Sequence, residues 1–284
     1  MRYAIIADSG CDLTELNGIQ NVLFQRVPLT LRVGEREYVD DTSLDIKLYM
    51  DDVKNCTSHT RSAAPSPAAW IDAFQQADEI IAITITSTLS GSNNSAQVAK
   101  ETILSKDPTK KIHIIDSLSA GPEITLLVYK LAELMEKELS FSEIVDQITQ
   151  YQEKTHLLFI LESLENLIRN GRVNKHIGKL VGMLGIRILG RASVEGELEV
   201  LHKCRGRKKA YEALLNTMIE TGYNGGKVII SHCFNEAGAN HLKKELEEKF
   251  PACAIQIMPT GGLCSYYAEM DGIMLAFEAN VSLN

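Results

Sequence analysis

Apolar and polar positions fall into blocks along the chain, and over the first half these blocks predict strands alternating with helices. YAIIAD (3–8) is an apolar strand followed by a polar turn, with Asp12 or Thr14 placed to cap a helix. VLFQRVPLTLRVGEREYVDD (22–41) alternates and carries Gly34 at a hairpin turn. LDIKLYMDDVKN (44–55) is helical, and the hydroxyl- and proline-rich CTSHTRSAAPSP (56–67) reads as a loop entering a helix with Pro67 in its first turn. DEIIAITIT (78–86) is a strand. After it, Thr86, Ser87, Thr88, Ser90 and Ser92 surround Gly91 before the helical NNSAQVAKETIL (93–104). KIHIIDS (111–117) and GPEITLLVYKLAELMEK (121–137) repeat the strand–helix pair.

This rhythm predicts an α/β domain, a Rossmann-like α/β/α layering with a mainly parallel sheet. Its ligand loops belong at the carboxyl ends of the strands, so Asp8–Ser9, Ser87–Ser92 and Asp116–Ser119 are expected along one sheet edge. Near residue 150 the rhythm changes. A polar amphipathic helix (141–155) leads to HLLFILES and a glycine-spaced stretch (167–190), and then to the alternating GELEVLHKC (196–204). A helix, the strand KVIISHC, a second helix and a last strand, CAIQIMPT, complete the pattern. The expected division is an α/β domain over 1–155 and an α+β domain over 156–284.

Composition narrows the function. The net charge of −8 argues against nucleic acid as a partner, because phosphate binding needs a basic surface. The run Arg205-Gly206-Arg207-Lys208-Lys209 is the local exception, either a solvated helix start or a docking point for an acidic partner. The six cysteines include no CxxC pair and read as reduced thiols. No apolar run approaches the ~20 residues of a membrane span, and Met1 leads straight into a strand, so a cytoplasmic protein without stable membrane insertion is expected. Neither metal-ligand spacing nor a dinucleotide fingerprint, phosphate-binding lysine loop or nucleophile elbow occurs, and no cofactor is implied.

The better signal is for an anion. A helix amino terminus offers unpaired N–H groups and a partial positive charge. Gly91 lets a ligand approach the backbone, and Ser90 and Ser92 add hydroxyl donors, unless these serines only cap their helix. The second hydroxyl loop, with Ser62 and Ser66, could clamp the same anion from the other side.

Taken in order, these blocks resemble the DegV-like fatty-acid-binding proteins. IIADSGCDLT (5–14) resembles the family's opening, and VPL (27–29) with YVDD (38–41) its next block. SAAPSP (62–67) is similar to a TSQPSP loop, and STLSGSNNSA (87–96) to SSxLSGTYQSA. IIDSLSAG (114–121) and LENLIRNGRVNK (164–175) match two further blocks, the second resembling LxxLxxGGRI. The resemblance covers the whole chain. It implies one long-chain fatty acid held between two domains, its carboxylate on Ser62 and Ser90 with backbone from Gly91, and Arg172 near the same end. It further implies that a separate ATP-dependent fatty acid kinase phosphorylates the bound acid, while this protein performs no chemistry itself. LLFIL (157–161) and LVGMLGIRIL (180–189) are tunnel candidates or plain core.

One departure stands out. Where the family has GTHxGPGxxGxxF, this chain has CSYYAEMDGIMLAF (264–277), which puts Tyr267 at the histidine position, or Tyr266 if the register shifts by one. A phenol can donate to a carboxylate but does not titrate near neutrality as an imidazole does. The departure bears on kinase coupling more than on lipid binding. Two rival readings remain: an acyl hydrolase with Ser90 as nucleophile and His176 or His232 as base, and a binder of another apolar carboxylate.

Overall fold

The computed structural model describes residues 3–19, 21–173 and 185–279. The first half runs β1 (Tyr3–Asp8), β2 (Val22–Val27), β3 (Thr30–Val33), β4 (Arg36–Val39), α1 (Ile46–Asn55), β5 (Thr60–Ala63), α2 (Pro67–Phe74), β6 (Glu79–Thr84), α3 (Ser92–Leu104), β7 (Lys111–Asp116), α4 (Pro122–Met135) and α5 (Phe141–Gln152). The second runs β8 (Thr155–Leu161), α6 (Glu165–Arg169), β9 (Ile186–Ala192), β10 (Leu198–Arg205), α7 (Arg207–Glu220), β11 (Lys227–His232), α8 (Glu236–Lys249), β12 (Ala254–Pro259), α9 (Gly262–Ala268) and β13 (Ile273–Glu278).

Strands β2-β1-β6-β7 form a sheet whose pairs are all parallel. Strands β1 and β6 are buried along their whole length, as expected of a parallel sheet covered on both faces. Six strands in the order β10-β9-β8-β13-β11-β12 form the second sheet, antiparallel except between β11 and β12. A small sheet, β4-β3-β5, completes the first half. The fold is therefore the expected pair, a parallel α/β domain and an α+β domain.

Alternation along the strands sorts side chains into three cores. Ala4, Ile6, Ile80 and Ala82 meet Trp70 and Phe74 of α2 and Ala96 and Ala99 of α3. Ile5, Ala7, Ile81 and Ile83 face the opposite way, into a central core shared with α4 and with Leu157, Phe159 and Leu161 of β8. Leu158 and Ile160, the alternate residues of β8, join α7 and α8 in an outer core. Helix α4 lies between the two sheets and is buried almost all round, which is why its sequence lacks a polar face. Ser66 caps α2 ahead of Pro67, and Ser140 with Glu143 forms a capping box on α5.

The structure differs from the sequence reading at three places. Among the described residues, no helix lies between β1 and β2. Asp12 instead accepts the Gly261 N–H at 2.8 Å, capping α9 from the other half of the molecule. The hydroxyl-rich segment before α2 contains strand β5, paired with β3 so that Ser62 stands opposite Leu31. Beyond β12 the chain adds α9 and then β13, which inserts centrally between β8 and β11. Its short apolar run carries no periodicity to separate strand from helix.

Candidate functional site

The register of the parallel sheet sets Asp8, Val27, Thr84 and Asp116 in line at its carboxyl edge. The three expected loops meet there. Asp8 accepts hydrogen bonds from the Gly10 N–H, the Ile85 N–H and the Ser92 hydroxyl, and Asp116 accepts from the N–H groups of Ser87 and Leu118. Burial pushes the Asp8 carboxyl up to about 6 against the pull of those three donors.

Next to this edge, a cavity opens between the two halves. It encloses about 130 Å³ open to the centre of a water-sized sphere, within about 930 Å³ of space between atoms, its mouth included. Such a narrow space suits a slender ligand. Its wall is mainly apolar, built by Ile85 and Leu89 from one half and Leu157, Phe159, Leu161 and Met274 from the other. Ser62, Ser90, Gly91, Arg172 and Tyr267 cluster on its lining, to which Thr86, Ser119, Arg191 and Glu197 add further polar groups.

The five clustered residues arrive from four places. Ser62 comes from β5, and its Oγ lies 2.9 Å from the Tyr267 hydroxyl of α9. Ser90 and Gly91 form the entrance to α3; Gly91 is the N-cap and supplies no side chain, while Ser90 Oγ accepts the Ser92 N–H at 3.2 Å. A Cβ placed on Gly91 would stand 3.9 Å from Ala64, so the two hydroxyl loops do converge. Arg172 follows α6 and donates to the carbonyls of Leu89 at 3.1 Å and of Asn170. It brings positive charge beside the α3 terminus. Three neutral hydroxyls, one cation and a helix start can together satisfy a buried carboxylate.

Ser92, also expected at the ligand, has another role. It is fully buried, its hydroxyl donates to Asp8, and it does not line the cavity. Its neighbours in the same loop are likewise committed: Thr86 and Thr88 both donate to the carbonyl of Gly196 in the β9–β10 turn. Of the loop's five hydroxyls, Ser90 and Thr86 line the cavity, and Thr86 is already engaged.

The two tyrosines of α9 separate cleanly. Tyr266 is buried, 2.6 Å from Thr60 Oγ1 and accepting from Asn170 at 2.8 Å, whereas Tyr267 lines the cavity. Helix α9 is itself held from the first half: Asp40 accepts the N–H groups of Gly262 and Leu263 at 2.8 and 2.9 Å, beside the Asp12–Gly261 bond. Burial raises both carboxyls above the ordinary range, and Arg26 pulls Asp40 back toward it. These clamps escape a sequence reading because cap and helix lie more than two hundred residues apart.

Of the tunnel candidates, 157–161 contributes Leu157, Phe159 and Leu161 to the cavity, while Ile188 and Leu189 of the second belong to the cores and residues 180–184 lie outside the described residues. His176 also lies outside them. His232 does not line the cavity; its Nδ1 accepts the Asn235 N–H, and burial lowers its pKa. Among the described residues, no histidine lines the cavity beside Ser90, and no group of three or more His, Cys, Asp or Glu could hold a metal. No described helix is long and apolar enough to cross a membrane.

Known proteins share this fold. A family model described as an uncharacterised protein of the DegV family matches residues 2–279. A DegV domain-containing protein of Streptococcus gordonii is 47% identical over 279 residues, 98% of this chain and 99% of its own. Among solved structures, the Streptococcus pneumoniae Fatty Acid Kinase (Fak) B3 protein loaded with linoleic acid superposes with a TM-score of 0.97 at 47% identity, covering 99% of this chain and 100% of its own. A DegV family protein of Eubacterium eligens loaded with heptadecanoic acid gives a TM-score of 0.94 at 38% identity, covering 98% of this chain and 100% of its own.

Proposed function

The chain belongs to the DegV family, and from that premise we propose that it is a non-catalytic, cytoplasmic carrier of a long-chain fatty acid. The acid lies between domains divided at residues 155/156. Its carboxylate rests on Ser62, Ser90, the Gly91 backbone, Arg172 and Tyr267. The observation that carries this reading is the mainly apolar cavity between the two halves, with Ser62, Ser90, Gly91, Arg172 and Tyr267 clustered on its lining. Each methylene taken from water into such a wall contributes about 0.8 kcal/mol, and the head group's donors offset the desolvation of one carboxylate.

The carrier presents that carboxylate to a separate ATP-dependent kinase. A carboxylate oxygen takes the γ-phosphoryl group of ATP and ADP leaves, giving an acyl phosphate. The support is the likeness to the Fak B3 protein. Tyr267 supplies a hydrogen bond to the head group and no titrating imidazole. A hydrolase reading finds no histidine base for Ser90 among the described lining residues.

Titration of a long-chain fatty acid against the wild type and the Ser62→Ala/Ser90→Ala double variant tests the reading. Loss of two hydrogen bonds to a charged group should weaken binding by roughly a hundredfold. Equal affinity in both proteins would remove these serines from the site.

A further inference from the structure

We propose that Leu157 and Ala192 form the stop that sets the length of acyl chain the cavity accepts, an inference that rests on the fatty-acid reading above. Strand β8 gives the cavity its direction. Leu161, the end that leads into α6 and Arg172, stands nearest the polar cluster in the chain, and Phe159 and Leu157 follow on the same face. Four residues of strand span about 13 Å, so Leu157 lies well along the cavity from the head group.

A second cavity begins there. By the same measure it holds about 610 Å³, and Leu157 and Ala192 are the described residues common to both linings. They are neighbours across two strands, since Leu158 pairs with Arg191 and the next rung carries Leu157 and Ala192. Beyond this wall the surroundings change character. Asp116, Gln152 and Glu123 line the second cavity, and Glu123, 5% exposed, accepts the Thr155 hydroxyl at 2.7 Å. A methyl-terminated chain pushed past the wall would displace water from these polar groups, and Leu118 and Val194 are the large apolar side chains it would meet there. The wall therefore blocks by bulk, and the more polar chamber behind it lowers the reward for passing.

The test is a series of dissociation constants for saturated acids of twelve to twenty-four carbons. Wild-type affinity should rise with chain length and then drop by roughly tenfold or more over one added pair of carbons. Leu157→Ala should move that drop at least two carbons longer, and Ala192→Leu should move it at least two carbons shorter. Leu158→Ala is the control: its side chain packs in the outer core on the other face of β8, so it should lower the melting temperature and leave the drop where it was. A drop at the same length in the wild type and in every folded variant of the wall would overturn the proposal, and Ala192, only partly buried, gives a variant that tolerates the change. Failure of the wild type to bind any acid in the series would instead overturn the carrier reading itself.

Discussion

Ser62 Oγ and the Tyr267 hydroxyl lie 2.9 Å apart, joining a strand of the first half to a helix of the second on the lining of one cavity. Each can be donor or acceptor, so a carboxylate entering between them can turn both hydroxyls toward itself. Tyr267→Phe removes one such donor and should weaken fatty-acid binding by about five- to tenfold with little change in melting temperature. Tyr266→Phe cuts bonds to Thr60 and Asn170 away from the cavity, so it should lower stability by about 1 kcal/mol and spare affinity. Isothermal titration and thermal melting of the two variants separate these effects; the opposite pattern would place Tyr266 at the head group.

Stability should fall as pH rises through the weakly acidic range. Burial holds Glu123 at about 7 against an ordinary 4.5, and Asp8 at about 6 against 3.8. Between each pair of values the folded protein keeps a proton that the unfolded chain has released. The stabilisation is complete below the ordinary value, is lost as pH climbs to the raised one, and is constant above it. Each group contributes a slope of up to about 1.4 kcal/mol per pH unit inside its window. Glu123→Gln should flatten the upper part of that decline, measured by melting curves across the weakly acidic range; an unchanged profile would mean that Glu123 is not the group responsible.

Gly196 locks the β9–β10 turn onto the first half. Its φ is +79°, and an added Cβ would stand 2.3 Å from Thr86 Oγ1 and 3.0 Å from the Leu118 Cα. Gly196→Ala should cost about 2 kcal/mol or more and loosen the bonds from Thr86 and Thr88 to the Gly196 carbonyl. Chemical denaturation measures the loss, and a variant as stable as the wild type would contradict this account of the turn.

Asp40 orders the helix that carries Tyr267. Asp40→Ala strips the acceptor from the Gly262 and Leu263 N–H groups and should destabilise the protein by about 2 kcal/mol. Because Tyr267 lies on the same short helix, affinity should fall along with stability. Melting and titration on one preparation would show whether the two losses travel together.

Much of this was legible in the sequence where local pattern sets structure. The apolar runs of β1 and β6, the Ser66-Pro67 helix start and the helix start at Gly91 each declare themselves within a few residues. Long-range partnerships did not. Asp12 reads as a cap for a helix following β1, yet its partner is Gly261; Ser92 reads as a ligand donor, yet it faces Asp8. A hydroxyl's availability depends on what the fold sets opposite it, and spacing along the chain does not encode that. Strand β13 escaped notice for a related reason: a short buried run takes its conformation from the neighbours it pairs with.

Native mass spectrometry of the purified protein, followed by denaturation and lipid extraction, tests the central claim most directly. The carrier reading predicts one bound mass of fatty-acid size on the wild type, absent from the Ser62→Ala/Ser90→Ala variant. A wild-type protein that is empty and fails to take up added fatty acids would contradict it.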